Sequence, residues 1–91
     1  MKFIPIKYFK EMDSWTDYYE QTVKPGDTVS WLRCVFITND DYKNKQQERI
    51  KKHGLGPFIL QEIRLYPIGV EFFFYDEHNN YVNVPCHWLV K

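Results

Sequence analysis

Hydrophobic and polar residues alternate along three consecutive short runs in the C-terminal half of the chain. The runs cover residues 57–66, 69–77 and 81–90, and turn-forming residues separate them. A period of two places successive side chains on opposite faces of a strand. The pattern therefore predicts three antiparallel strands joined by tight turns, at Pro67 to Gly69 and at His78-Asn79-Asn80.

The same alternation predicts which side chains of these strands face the core. The inward set is Ile59, Ile63, Leu65, Val70, Phe72, Phe74, Val82 and Val84, and the outward set is Glu62, Arg64, Tyr66, Glu71, Phe73, Tyr75 and Glu77. Two aromatic residues on the outer face, Phe73 and Tyr75, need an explanation. They either lie under an N-terminal helix or form an exposed binding patch.

The N-terminal half contains a turn, two β-prone segments and a helix signal. Pro25 and Gly26 predict a turn. A strand is predicted from Thr28 to Thr38, and its last part, Cys34 to Ile37, is apolar on both faces. Residues 3–9 are β-prone, but Pro5 limits them to an edge strand or an extended lead-in. Ser14 followed by Asp17 resembles a capping box and predicts a short helix to about Thr22. That helix carries Trp15, Tyr18 and Tyr19.

Residues 39–53 have the clearest helix signals in the chain. Asn39 or Asp40 is a plausible N-cap, the last turn is basic, and Gly54 stands at the C-cap position. The apolar stripe is thin, with Tyr42 and Ile50 as its main members. We therefore expect this helix to lie on the surface as an insertion between two strands.

These elements predict an α+β fold that is mainly β. With 91 residues, the chain has room for one core and hence one domain, residues 1–91. We expect a five-stranded barrel over residues 24–91 with the helical insertion near residues 39–53. Residues 1–23 form an aromatic N-terminal extension that packs on the barrel.

The order of motifs from Pro25 onward resembles Src homology 3-like barrels. The motifs are Gly26-Asp27 before a strand, Gly56-Pro57-Phe58 opening another, and the closing run Val84-Pro85-Cys86-His87-Trp88-Leu89-Val90. They are most similar to integrase C-terminal domains and KOW-type modules. The resemblance implies a small barrel that binds peptides, partner proteins or nucleic acid.

Charge and cysteine content narrow the classes of partner. The formal net charge is zero, so no chain-wide field draws the protein to nucleic acid or membranes. No apolar run approaches the roughly 20 residues that span a bilayer, so we expect no membrane partner. Two cysteines without a preceding signal peptide predict a cytoplasmic location.

The candidate reactive residues favour a protein without metal, cofactor or catalytic activity. Cys86-His87 with His53 and His78 lacks the ligand spacing of structural zinc sites. Neighbouring strand residues point to opposite faces, so Cys86 and His87 are poorly placed to act as a nucleophile and base.

We therefore predict a non-catalytic small binding module, an accessory or regulatory protein that works as a monomer or weak homodimer. Its aromatic residues contact a partner protein of unknown identity, and small size and aromatic richness suggest a phage or mobile-element origin. The partner-binding set is Arg64, Tyr66, Phe73, Tyr75 and Trp88. The alternative is a nucleic-acid-binding module that combines exposed aromatic residues with the basic helix residues Lys43, Lys45, Arg49, Lys51 and Lys52.

Overall fold

A computed structural model describes residues 9–17, 20–32 and 40–91, which form strands, one α-helix and one 3-10 helix. The strands are β1 Lys10–Met12, β2 Trp15–Thr16, β3 Thr22–Val23, β4 Thr28–Trp31, β5 Phe58–Tyr66, β6 Gly69–Tyr75, β7 Tyr81–Pro85 and β8 Leu89–Val90; the α-helix is α1 Asp40–His53, and the 3-10 helix is Cys86–Trp88. The described part of the chain is thus mainly β with one α-helix, which confirms the predicted class.

The strands pair into one six-stranded sheet and one small hairpin. The main sheet has the order β7-β6-β5-β4-β8, and β1 also pairs with β5. The hairpin consists of β2 and β3. All these pairs are antiparallel. The sheets are open among the described residues, so closure into a five-stranded barrel is not shown.

A β-bulge at Gln61 divides β5 into two halves. Even-numbered side chains face the core before the bulge, and odd-numbered Ile63 faces the core after it. The pairing of β5 with β6 shifts between Leu60 and Glu62. Before the shift Phe58 and Leu60 are buried, and after it Ile63 is buried. The extra residue of a bulge reverses the alternation. The prediction that Ile63 faces the core is confirmed, whereas the same prediction for Ile59 is wrong, because Ile59 is 50% exposed.

The predicted inward residues of β6 and β7 form the core with aromatic residues from β4 and β5. Val70, Phe72, Phe74 and Val84 are buried as predicted, and Phe72 pairs with Val84. The ring of Phe74 lies 4.5 Å from Phe58 and 6.0 Å from Trp31, between ring centroids. The prediction that Leu65 faces the core is wrong, because Leu65 is 39% exposed.

The predicted N-terminal helix is wrong, because residues 15–16 and 22–23 form the β2–β3 hairpin. Trp15 pairs with Val23, and Thr16 pairs with Thr22. The Oδ1 atom of Asp17 accepts the backbone N–H of Gln21 at 2.9 Å and so closes the turn instead of capping a helix. The β-branched residues beside it favour extended backbone, and together these effects outweigh a weak capping signal.

Parts of three predicted segments lie outside the described residues. They are residues 3–8 of the β-prone N-terminal segment, Tyr18 and Tyr19, and residues 33–39, which include Cys34 and the apolar run to Ile37. The predicted strand that begins at Thr28 is confirmed as far as Trp31.

Helix α1 ends against the core at Gly54, as its C-cap signal predicted. Gly54 has φ +100°, donates its N–H to the carbonyl of Ile50 at 2.7 Å, and accepts the indole N–H of Trp31 at 2.9 Å. A Cβ atom at Gly54 would collide with the side chain of Glu77. This glycine therefore joins the helix, the core and the β6–β7 turn. In the described residues, no helix is both long enough and apolar enough to cross a membrane.

A buried acid connects the same helix end to the β6–β7 turn. The side chain of Asp76 is 1% exposed, and its Oδ2 accepts a hydrogen bond from Nδ1 of His53 at 3.0 Å. Its Oδ1 accepts the backbone N–H groups of His78 and Asn80, both at 2.9 Å. These hydrogen bonds, that from His53 above all, lower the pKa of Asp76 to about 2. The predicted turn is confirmed, with Asn79 in the left-handed region at φ 64°.

We expect Gly54→Ala to lower the free energy of unfolding by about 2–3 kcal/mol, since a left-handed backbone with a Cβ costs about 1–2 kcal/mol and displacement of Glu77 adds to it. Gly26→Ala is the matched control, because Gly26 also has positive φ (97°) but nothing within 4 Å of the added Cβ. Urea unfolding of both variants measures the difference. Equal losses would show that the contact with Glu77 does not constrain the fold.

We expect stability to fall as the pH is lowered through about 4 to 2. The folded pKa of Asp76, about 2, lies below its ordinary value of 3.8, so the unfolded chain binds more protons in that range. Asp76→Asn should therefore flatten the dependence of the free energy of unfolding on pH, as measured by urea titration from about pH 5 to 2. Asp13→Asn, at an exposed position, is the control. An unchanged pH dependence in Asp76→Asn would contradict the assignment.

Candidate functional site: the outer face of the sheet

Four strands place one exposed side chain each in a line across the outer face of the sheet. Tyr81 of β7 pairs with Tyr75 of β6, and Thr28 of β4 pairs with Ile59 of β5. Leu60 of β5 pairs with Phe74 of β6. In an antiparallel pair the adjacent residues are then also opposite each other, so Ile59 faces Tyr75 and the two pairs form one line. We call the line Thr28, Ile59, Tyr75 and Tyr81 the outer row.

The large side chains of the outer row are accessible. Ile59 is 50% exposed, Tyr75 52% and Tyr81 43%, and the rings of Tyr75 and Tyr81 lie 4.8 Å apart. Ile59 and Tyr75 also line a shallow cleft of about 300 Å³, with Pro57, Gln61 and Glu77 at its sides. The bulge at Gln61 is the local reason that Ile59 joins this surface rather than the core.

A packed layer around Arg64 lies next to the outer row on the same face. The guanidinium carbon of Arg64 is 4.1 Å from the ring centroid of Phe9 and 4.3 Å from that of Phe73. Its Nη2 donates to both carboxylate oxygens of Glu62, at 3.1 and 3.0 Å, and its Nη1 donates to the hydroxyl of Tyr66 at 3.3 Å. Arg64 is thus held between two rings and by two polar partners, which orders the face.

Glu62 connects this layer to the outer row. The hydroxyl of Tyr81 donates to Oε2 of Glu62, and this hydrogen bond, with the nearby Arg64, lowers the pKa of Glu62. Burial, followed by the hydrogen bond to Glu62, raises the pKa of Tyr81. Hydrogen bonding to Tyr66 and then to Glu62 raises the pKa of Arg64. The lowered pKa of Glu62 and the raised pKa of Tyr81 both widen the pH range over which the tyrosine hydroxyl donates to an ionised carboxylate.

The sequence prediction brought together four residues that the structure also places on this face: Arg64, Tyr66, Phe73 and Tyr75. Their exposures differ, since Phe73 is 8% and Tyr75 is 52% exposed. Phe73 is covered by Arg64 and by Tyr81, whose ring lies 5.6 Å away, and not by an N-terminal helix. The sequence left open whether these two rings are covered or exposed. Phe73 is covered, and Tyr75 is exposed.

Trp88, the fifth predicted contact residue, lies beside α1. Its ring centroid is 3.1 Å from the guanidinium carbon of Arg49, and it lines a cleft with the helix. Of the other basic helix residues, Lys45, Lys51 and Lys52 are exposed, and the side chain of Lys43 lies outside the described part. Among the aromatic residues predicted for the two surfaces, Trp88 is the one that lies next to the basic helix, whereas Phe73 and Tyr75 lie on the outer face of the sheet.

The residues considered for metal or thiol chemistry have structural surroundings. Within the described ranges, no group of three or more His, Cys, Asp or Glu residues could hold a metal ion. His53 is hydrogen-bonded to Asp76. Burial, with the charge of Glu71 adding to it, raises the pKa of Cys86. A raised pKa keeps the thiol protonated and weakens it as a nucleophile.

Ile59 and Tyr81 are the two large side chains of the outer row that were not among the residues predicted for this surface. For Tyr81 a signal existed, because Val82 and Val84 were placed inward and alternation then puts Tyr81 outward beside Tyr75. For Ile59 no signal existed, since a bulge between two apolar stretches leaves the local pattern ambiguous. The composition of the outer row therefore depends on a register that only strand pairing reveals.

We expect Phe73→Ala to lower the free energy of unfolding by about 3 kcal/mol, because it removes a buried ring. Tyr75 lies two residues further along the same strand, on the same face. Tyr75→Ala should lower the free energy of unfolding by less than about 1 kcal/mol, since the ring is half exposed. Chemical denaturation of both variants provides the comparison. Similar losses in the two variants would contradict the division of this face into a packed layer and an exposed row.

Comparison with known proteins found no matching protein-family model, and no curated protein or solved structure with significant similarity to this chain. The geometry of the outer face therefore carries the functional conclusion.

Proposed function

We propose that the chain is a non-catalytic binding module that contacts a partner protein through the outer row. The observation that carries the proposal is the alignment of three exposed large side chains, Ile59, Tyr75 and Tyr81, across three neighbouring strands. Single exposed apolar residues are ordinary on protein surfaces, but a contiguous group on one face is typical of interaction sites.

The chemistry of the outer row suits a protein partner. Tyrosine supplies a large contact area with few rotatable bonds, and tyrosine is enriched among the residues that dominate interface affinity. The hydrogen bond from Tyr81 to Glu62 and the packing of Tyr81 on Phe73 hold one ring of the row in place. Less conformational entropy is then lost on binding. Arg64 and Tyr66 lie in the same layer and would border the contact.

The arrangement of the last strands supports an Src homology 3-like barrel as the scaffold. The 3-10 helix Cys86–Trp88 separates β7 from β8, and β8 pairs with β4 at the other end of the sheet order. β7 and β8 therefore lie at opposite ends of the order β7-β6-β5-β4-β8 although only three residues separate them in the chain. Such a short connection draws the two ends of the sheet toward each other, as a small barrel requires.

A capture experiment with matched surface variants tests the proposal. Wild-type protein, the variant Ile59→Ser with Tyr75→Ser, and the control Leu55→Ser with Ile68→Ser are immobilised, and proteins retained from a lysate of the source cells are compared. Leu55 and Ile68 are 53% and 93% exposed, so the control removes a similar apolar area elsewhere. We expect a protein retained by wild type and control but lost from the outer-row variant.

The retained protein is then purified and its affinity measured by titration calorimetry. Loss of two contact residues should weaken binding at least tenfold, which corresponds to about 1.4 kcal/mol. Circular dichroism of each variant establishes that it is folded. Equal retention by all three proteins would overturn the proposal, and concentration-dependent self-association abolished by the outer-row variant would replace the partner by a second copy of the chain.

A further inference from the structure

A second surface feature, separate from the outer row, is the cleft between α1 and the 3-10 helix. It has a volume of about 400 Å³, and its lining is Lys45, Glu48, Arg49, Lys52, His53 and Trp88. Three of these residues are cations that are always charged at neutral pH, against one acid. The cleft is therefore positive although the chain as a whole is neutral.

The cations of the cleft have no acidic partner among the described residues. The salt bridges found there are His53 with Asp76, Arg64 with Glu62, and Lys91 with Asp27. Lys45 and Arg49 are four residues apart and Arg49 and Lys52 three apart, so all three project from one side of the helix. Three positive charges on one side of a cleft, with no ion pair to any acid that the structure describes, are suited to a ligand that carries several negative charges.

Arg49 and Trp88, which both line this cleft, form a planar cationic pair. The guanidinium carbon of Arg49 is 3.1 Å from the ring centroid of Trp88, so the guanidinium group lies against the indole ring. Trp88 is itself half-buried and packs on the hydrophobic core, which holds the ring in place. Nucleic-acid bases stack both on aromatic rings and on guanidinium planes.

We propose that this cleft binds single-stranded nucleic acid, with Lys45 and Lys52 on the phosphates and the Arg49–Trp88 pair against a base. An acidic peptide shares the negative charge, but its carboxylates make no use of a planar stacking surface. The volume of the cleft suits one nucleotide, since ligand pockets of about 300–1,000 Å³ enclose small molecules of that size. Neighbouring nucleotides would then extend along the helix.

The test measures fluorescence anisotropy of a labelled oligothymidylate of about 12 nucleotides at several salt concentrations. The two phosphate contacts predict a slope of about −1.4 for log affinity against log salt, or about a sevenfold loss between roughly 50 and 200 mM. Lys45→Ala with Lys52→Ala should make the slope shallower by about 1.4, since each phosphate contact contributes about 0.7. Lys51→Ala is the matched control, because Lys51 is on the same helix but not in the cleft.

Two further comparisons separate stacking from charge. Arg49→Lys keeps the charge but removes the plane, and should weaken binding about tenfold with an unchanged salt slope. An abasic strand of equal length should bind about tenfold more weakly than oligothymidylate for the same reason. Glu48→Gln removes the one acid of the cleft and should strengthen binding. Near-ultraviolet circular dichroism establishes that each variant is folded.

The proposal is overturned if oligothymidylate does not bind at about 50 mM salt, or if Lys51→Ala changes the slope as much as the cleft variants do. It is also overturned if a labelled oligoglutamate of the same length binds as tightly, because the site would then recognise charge alone. None of these variants alters the outer row, so either result leaves the proposed protein contact intact.

Discussion

The register shift at Gln61 is the constraint on which the rest of this fold depends. β5 pairs with β4 through Phe58 and Ile59 and with β1 through Ile63 to Leu65. Without the extra residue, strict alternation could not bury both Leu60 and Ile63, which are 0% exposed. Bulged strands also bend and twist more strongly. The edge of β5 opposite β6 can therefore pair with β4 in its first half and with β1 in its second half. The same shift turns Ile59 outward and thereby completes the outer row.

The sheet is stabilised by aromatic packing on both of its faces, and this explains how its outer face can be rigid as well as accessible. The inner side buries Trp31, Phe58 and Phe74 in mutual contact. On the outer side, the Arg64 guanidinium replaces a covering helix, because it shields Phe73 and satisfies its own charge through Glu62. The buried ring of Phe73 thus lies next to the exposed ring of Tyr75 on the same face of the sheet.

Several features of the site could be predicted from the sequence, and the reasons for the others are specific. Arg64, Tyr66, Phe73 and Tyr75 were placed on one face because alternation holds from Glu62 to Tyr66 and throughout β6. The covering of Phe73 could not be predicted, since it depends on a side chain from the neighbouring strand. The N-terminal helix was wrong because the weak capping signal of Ser14 and Asp17 competed with β-branched neighbours and with a turn that Asp17 closes.

The sequence by itself determined the mainly β class, the α-helix near residues 39–53 with its end at Gly54, the turns, and the inward residues of β6. These follow from local rules: backbone freedom at glycine, the capping of helix ends, and a period of two in strands. Only the tertiary structure decided the bulge in β5, the exposure of Ile59 and the pairing of Arg49 with Trp88. Each of these is a contact or register between residues distant in the chain, and local patterns carry no information about which distant residues will meet.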